Sequence, residues 1–243
     1  MGMFDPKKRK MLTAVIAIIL VVVMVVPTVL SLIKANIMRL GKAAMEALQA
    51  EITGRLLPGD EIVVVGPAGL KGTSVIAKEK EQELTKYFSK GFLADGKNLY
   101  KAWRADIKKE GISPWNLGLE LGAHSLYEIG EGGFLAALWK MAEASEVGLS
   151  VDLRKVPMRQ ETIEISEIFS VNPYRLYGKG AILIGTPSGE ELVFKLEKLG
   201  FMAAVIGQAE KGIARKLYSG ENFRYLERPS KDELKGVVTT WQD

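Results

Sequence analysis

The sequence has no cysteine and a single histidine, His124. Without thiols the chain has no disulfide, no thiolate metal site and no cysteine nucleophile, and one imidazole cannot build a histidine metal cluster. A strong charge of one sign is missing too. Taking Lys7, Lys8, Arg9 and Lys10 from the 33 basic residues and Asp5 from the 29 acidic ones leaves 29 against 28. So even a balance gives no electrostatic footprint for nucleic acid, and none is expected as a partner. Internal repeats and low-complexity tracts are absent as well. The "KDEL" of residues 231–234 is not C-terminal and therefore is no retention signal.

What the chain does have is apolar content, 47% of 243 residues, enough to bury one sizeable core. One uncharged run stands apart: "MLTAVIAIILVVVMVVPTVLSLI", residues 11–33. At 1.5 Å per residue this helix would span roughly 35 Å, against a hydrocarbon core of about 30 Å. A secretory signal peptide is the competing reading, but its apolar region is typically about 7–15 residues. A retained single-pass anchor in the cell membrane is the expectation, with the basic tail and span occupying residues 1–34. Pro27 is compatible with a lipid-embedded helix. Basic residues flank the run on both sides, so the side of the membrane that holds the rest stays open.

Residues 35–57 keep apolar side chains at Ile37, Leu40, Ala44, Leu48, Ile52 and Leu56, intervals of three and four that predict a helical stalk ended by "PGD". Packing on its own domain and pairing into a homodimer are both consistent with so few heptads. From Glu61 onward strands and helices alternate. "EIVVVG", "GLSVDL", "AILIGT", "MAAVIGQ", "IARKLY" and "NFRYLE" read as strands. "KGTSVIAKEKEQELTKYFSKGF", residues 98–109, residues 134–145, "RQETIEISEIF" and "GEELVFKLEKLG" read as helices. The fold class is α+β: one layered domain with a mixed sheet covered by helices.

Two glycine-rich loops invite chemistry. "GPAGLKGTS", residues 66–74, links a strand to a helix, but Lys71 precedes Gly72 where a phosphate-loop lysine follows its glycine, so a tight turn is favoured. The second, "YEIGEGG", leads into a helix at Gly132 and Gly133, whose free amides and dipole favour an anion. Glu128 and Glu131 beside it are candidate catalytic carboxylates. Ordinary solvated loop residues would look the same.

Four blocks in order carry a family resemblance: "PGDEIVVVGPAGLKGTSVIA", "YEIGEGGFLAALWKMAEASEVGLSVDL", "VPMRQETIEISEIFSVNPYRLYGKGAILI" and "MAAVIGQ". Together they resemble the C-terminal domain of the aminoimidazole ribonucleotide synthetase superfamily, particularly its nickel-iron hydrogenase maturation branch. The resemblance places this PurM C-terminal-domain-like fold at residues 58–235, with a tail at 236–243. It implies ATP and Mg chemistry that activates an amide-like oxygen in a cleft shared with an N-terminal half. It also implies Glu128, Gly130, Glu131, Gly132 and Gly133 as site residues, with Asn172 and Gly180 from "VNPYRLYGKG". Arg159 and Glu161 are expected only to cap and solvate their helix.

Departures from the family pattern shape the expected function. The family's acidic, glycine-rich nucleotide segment has no counterpart before Pro58. Its His-Asp-hydrophobic-Thr stands here as Tyr127, Glu128, Ile129, Gly130, and the maturation branch's substrate-bearing C-terminal cysteine is missing. A membrane-tethered ligand- or partner-binding module without independent catalysis is expected, with no metal site of its own. Two alternatives remain. One is half of a split ATP-dependent enzyme, completed by another polypeptide such as an ATP-binding half or a hydrogenase maturation protein; the other is a fused or truncated reading frame.

Overall fold

A computed structural model describes residues 40–109 and 113–239 of the chain. The chain divides into two compact units, Met1–Ala47 and Leu48–Asp243. Of the first, the described part is the start of helix α1 (Lys42–Glu51). The apolar run at residues 11–33, on which the anchor expectation rests, lies outside the described residues. Among the described ones no helix is long and apolar enough to cross a membrane.

The second unit is built on one eight-stranded sheet. In chain order its strands are β1 (Thr53–Gly54), β2 (Glu61–Val65), β3 (Ser125–Glu128), β4 (Gly148–Asp152), β5 (Ile182–Thr186), β6 (Ala203–Glu210), β7 (Arg215–Ser219) and β8 (Asn222–Tyr225). They lie side by side as β1-β3-β5-β2-β6-β4-β7-β8. Every pairing is antiparallel except β4 with β7, so the sheet is mixed, as the alternation of elements predicts.

Strand alternation sends successive residues to opposite faces. Val63, Val65, Leu126 and Ile184 face one layer. There they meet α4 (Lys90–Lys109) through Leu99 and Trp103, and α8 (Gly189–Lys198) through Leu192, Val193 and Leu196. Each such fully buried aliphatic side chain stabilises the fold by about 1.5–3 kcal/mol. The opposite face is covered by α6 (Gly133–Ser145), which buries 11 of its 13 residues. There Tyr127 of β3 accepts a hydrogen bond from Lys140 of α6 at 2.9 Å, and Lys140 also reaches Glu51 at 3.1 Å. Burial pushes the Tyr127 hydroxyl up from its ordinary value. A further cluster, around Ile76, Leu93, Ile165, Leu176 and Leu234, gathers α2 (Leu70–Glu79), α3 (Glu81–Leu84), α7 (Gln160–Ile168) and α9 (Leu234–Val237) around one end of α4.

The structure departs from the sequence reading in several places, and the helix expected from residue 98 begins at Lys90. The helix expected over residues 71–92 breaks at Lys80, whose φ of −110° and ψ of 22° are not helical. The charged stretch there offers nothing to bury until Leu84, and the break turns Leu84 inward to full burial. The stalk helix ends at Glu51, because Thr53 and Gly54 pair with β3 and Leu56 is buried at 2% exposure. Helix α5 (Pro114–Glu120) and strand β3 were not anticipated, although Ser113 before Pro114 is a recognisable helix start. Finally, Glu161 is not solvated. Its side chain is buried on α7, with Arg159 Nε 3.6 Å away.

Candidate functional site

Strand β3 ends at Glu128, and the chain reaches α6 through residues 129–132. Ile129 is fully buried and its N–H donates to the Ala181 carbonyl at 2.8 Å, which fixes the start of the loop. The Gly130 carbonyl then accepts from Gly133 at 3.1 Å and Gly178 at 3.3 Å. Gly132 and Gly133 take φ of +82° and +67°. A Cβ on Gly133 would stand 2.6 Å from the Leu176 carbonyl oxygen, so backbone geometry alone demands glycine there.

The amide that the sequence offers to an anion is already engaged. Gly132 N–H donates to Asp232 Oδ2 at 2.6 Å, and Leu234 N–H donates to Oδ1 at 2.8 Å. The Tyr177 backbone N–H reaches the same carboxylate. Burial raises the Asp232 carboxyl above its ordinary value, and these three amides pull it back in part. Asp232, inside the "KDEL" set aside above, is thus an internal anion at the start of α6. Glu131 pairs with Lys235 of the same C-terminal segment.

Glu128 is placed differently. It is exposed, and its Oε1 accepts from Gly180 N–H at 3.1 Å. The Gly180 carbonyl accepts from Trp103 Nε1 at 2.8 Å, tying this corner to α4. On α4, Arg104 donates to the Tyr100 hydroxyl at 3.3 Å, while Lys71 Nζ lies 4.5 Å from the Tyr100 ring centre. The Tyr100 contact raises the Arg104 guanidinium above its ordinary value, and the Glu128 charge adds to it. One carboxylate, one phenol and two cations therefore gather at this end of the sheet, a set able to bind a polar or anionic group. Asn172 stands apart, its Oδ1 accepting from Tyr174 N–H at 3.0 Å within its own turn. The "GPAGLKGTS" loop spends its amides on backbone carbonyls, Gly66 on Met202, Ala68 on Pro157 and Gly72 on Tyr177, which supports the turn reading. Among the described residues no three of His, Cys, Asp or Glu are grouped to hold a metal ion.

Sequence reasoning missed Tyr100 and Arg104, because nothing in a helix's periodicity says which strand loop it will meet. It also missed a basic hollow on the other flank of the loop. Residues 135, 139 and 143 recur every four along α6 and face β7, where Arg215 pairs with Glu143 at 2.7 Å and lies 5.5 Å from the Trp139 ring. Beyond that pair, Gly132, Leu135 and Ala136 meet Arg175, Leu217, Arg224, Leu226, Glu227 and Arg228 around an open hollow. The face assignment of Arg224 follows from register. It sits opposite Leu217, while Phe223 and Tyr225 project to the other side of β8.

The comparison with protein families accords with this architecture. Residues 58–217 match the AIR synthase related protein, C-terminal domain. The chain belongs to that family. Among curated relatives, it is 24% identical over 160 residues to carbamoyl dehydratase HypE of Rhodobacter capsulatus, covering 64% of this chain and 43% of the relative. It is 29% identical over 187 residues to thiamine-monophosphate kinase of Pyrococcus horikoshii, covering 74% and 52%. The chain thus spans about half the length of the curated relatives it matches. In fold it is similar to hydrogenase maturation protein HypE in complex with ATP, with a TM-score of 0.57 and 19% identity over 75% of this chain and 54% of that one. It is similar also to a chain of the HypE-HypF complex, at 0.55 and 16%, covering 73% and 55%. At that identity the likeness is one of fold.

Proposed function

We propose that this AIR synthase-related domain is a ligand- or partner-binding module held at the membrane by residues 11–33, without catalysis of its own. The observation that carries the reading is the capture of the glycine-loop amide by a carboxylate of the fold itself: Gly132 N–H is bonded to Asp232, which is buried. Phosphoryl transfer depends on positioned cations and a triphosphate cradle. The glycine loop of this domain instead spends its Gly132 amide on Asp232. What the domain offers is a surface: Glu128, Tyr100, Arg104 and Lys71 around the Gly180 turn.

A second reading, half of a split ATP-dependent enzyme, draws on the coverage of about half of each relative and on a fold neighbour that binds ATP. In that reading the Glu128 corner is one wall of a cleft whose nucleotide-binding wall belongs to another polypeptide, with hydrogenase maturation proteins the first to examine. Affinity capture of the tethered full chain from its native membrane tests both. Recovery of a partner carrying a nucleotide-binding half supports the split enzyme, whereas recovery of a partner without one supports the module. A chain that stays in the supernatant without detergent contradicts the tether.

A further inference from the structure

We infer that the hollow between the first turn of α6 and the β7–β8 hairpin binds a phosphoryl group, presented either by a soluble phosphomonoester or by a lipid headgroup. Three arginines line it, Arg175, Arg224 and Arg228. Only Arg175 has a carboxylate partner among the described residues, Glu227 at 3.0 Å. Glu227 is 73% exposed on its side chain, so that contact is an easily exchanged surface pair. Arg228 lies 5.8 Å from the Trp139 ring, and Arg215 holds the same ring from within its buried pair with Glu143. Trp139 thus presents Arg228 on a fixed platform, which lowers the ordering cost of binding.

The chemistry favours a phosphoryl oxyanion over other acidic groups. Guanidinium forks match its oxygens two at a time, and the surplus of two positive charges in the hollow matches a dianion. Leu135, Leu217, Leu226 and Pro229 form the apolar part of its wall. Asp232 sharpens the assignment, because it satisfies Gly132 from inside the fold and leaves the arginines as the anion-binding groups. Arg224 and Arg228 also lie beyond the matched segment 58–217, so the hollow is completed by a part of the chain outside the family match. The inference is independent of the reading of the Glu128 corner.

The test uses the purified full chain in non-ionic detergent, its Arg224→Ala/Arg228→Ala variant, and Lys195→Ala, which removes an exposed cation on α8, as a control. Inorganic phosphate and glycerol 3-phosphate are titrated by calorimetry, and nanodiscs with and without phosphatidic acid are offered in parallel. Wild type and Lys195→Ala should bind a phosphoryl probe alike, while the double arginine variant should lose affinity by roughly tenfold or more with its melting temperature held. Binding to the soluble probes assigns a phosphomonoester; binding only to phosphatidic acid discs assigns a headgroup. Absence of binding to every probe, or equal affinity in the folded double variant, overturns the inference. Equal loss in Lys195→Ala would overturn it too, by showing that binding follows net surface charge rather than the hollow.

Discussion

Asp232 shows how a single side chain changes what a loop can do. The residue is 2% exposed and its carboxylate is held by amides from residues 132, 177 and 234. Because burial raises its folded-state value above that of the unfolded chain, its contribution to stability is full below the unfolded pKa and is lost as pH rises through the folded one. Asp232→Asn removes that titration. The melting temperature of wild type relative to Asp232→Asn should therefore fall as pH is raised from about 4 toward neutrality; a flat difference would show that the carboxylate is not desolvated. The two glycines beside it give a matched pair of outcomes. Gly132→Val must adopt φ near +82° with its Cβ 2.7 Å from the Ala136 methyl, and should cost about 1–3 kcal/mol or more in chemical denaturation. Gly130→Ala meets nothing within 4 Å and has no positive φ, so it should stay within about 0.5 kcal/mol of wild type.

At the scale of elements, α6 joins the glycine loop to the far edge of the sheet. Its Glu143 and Arg215 of β7 expose only 10% and 11% of their side chains and lie 2.7 Å apart. Glu143→Ala leaves a buried guanidinium without its partner and should cost about 3–5 kcal/mol in urea unfolding, far beyond an exposed ion pair. A loss below about 1 kcal/mol would mean that water reaches Arg215 freely. Elements whose own pattern is strong were legible in the sequence. "EIVVVG" is a continuous apolar run and became the central strand β2, and the helix expected over residues 134–145 is α6. Elements set by distant partners were not. Strand β3 has only four residues, and the break at Lys80 follows from Leu84 turning toward Ile76 and Leu93. The candidate loop could be read as glycines before a helix. The carboxylate 100 residues away that bonds it could not, since no local pattern announces a tertiary contact.

For the whole molecule, the family assignment rests on residues 58–217 and the proposed membrane tether on residues 11–33. These are separable. Deleting residues 1–33 should move the protein from the membrane pellet to the supernatant, since each central Leu, Ile or Val contributes about −0.3 to −0.6 kcal/mol to insertion. Catalysis bears most directly on the proposal that the domain binds rather than turns over. The deciding measurement is ATP hydrolysis by the purified full chain alone, in non-ionic detergent with Mg²⁺. The expected result is no turnover above the no-protein background. Turnover that survives repurification and disappears in Glu128→Gln would contradict the account and make the Glu128 corner an active site in its own right.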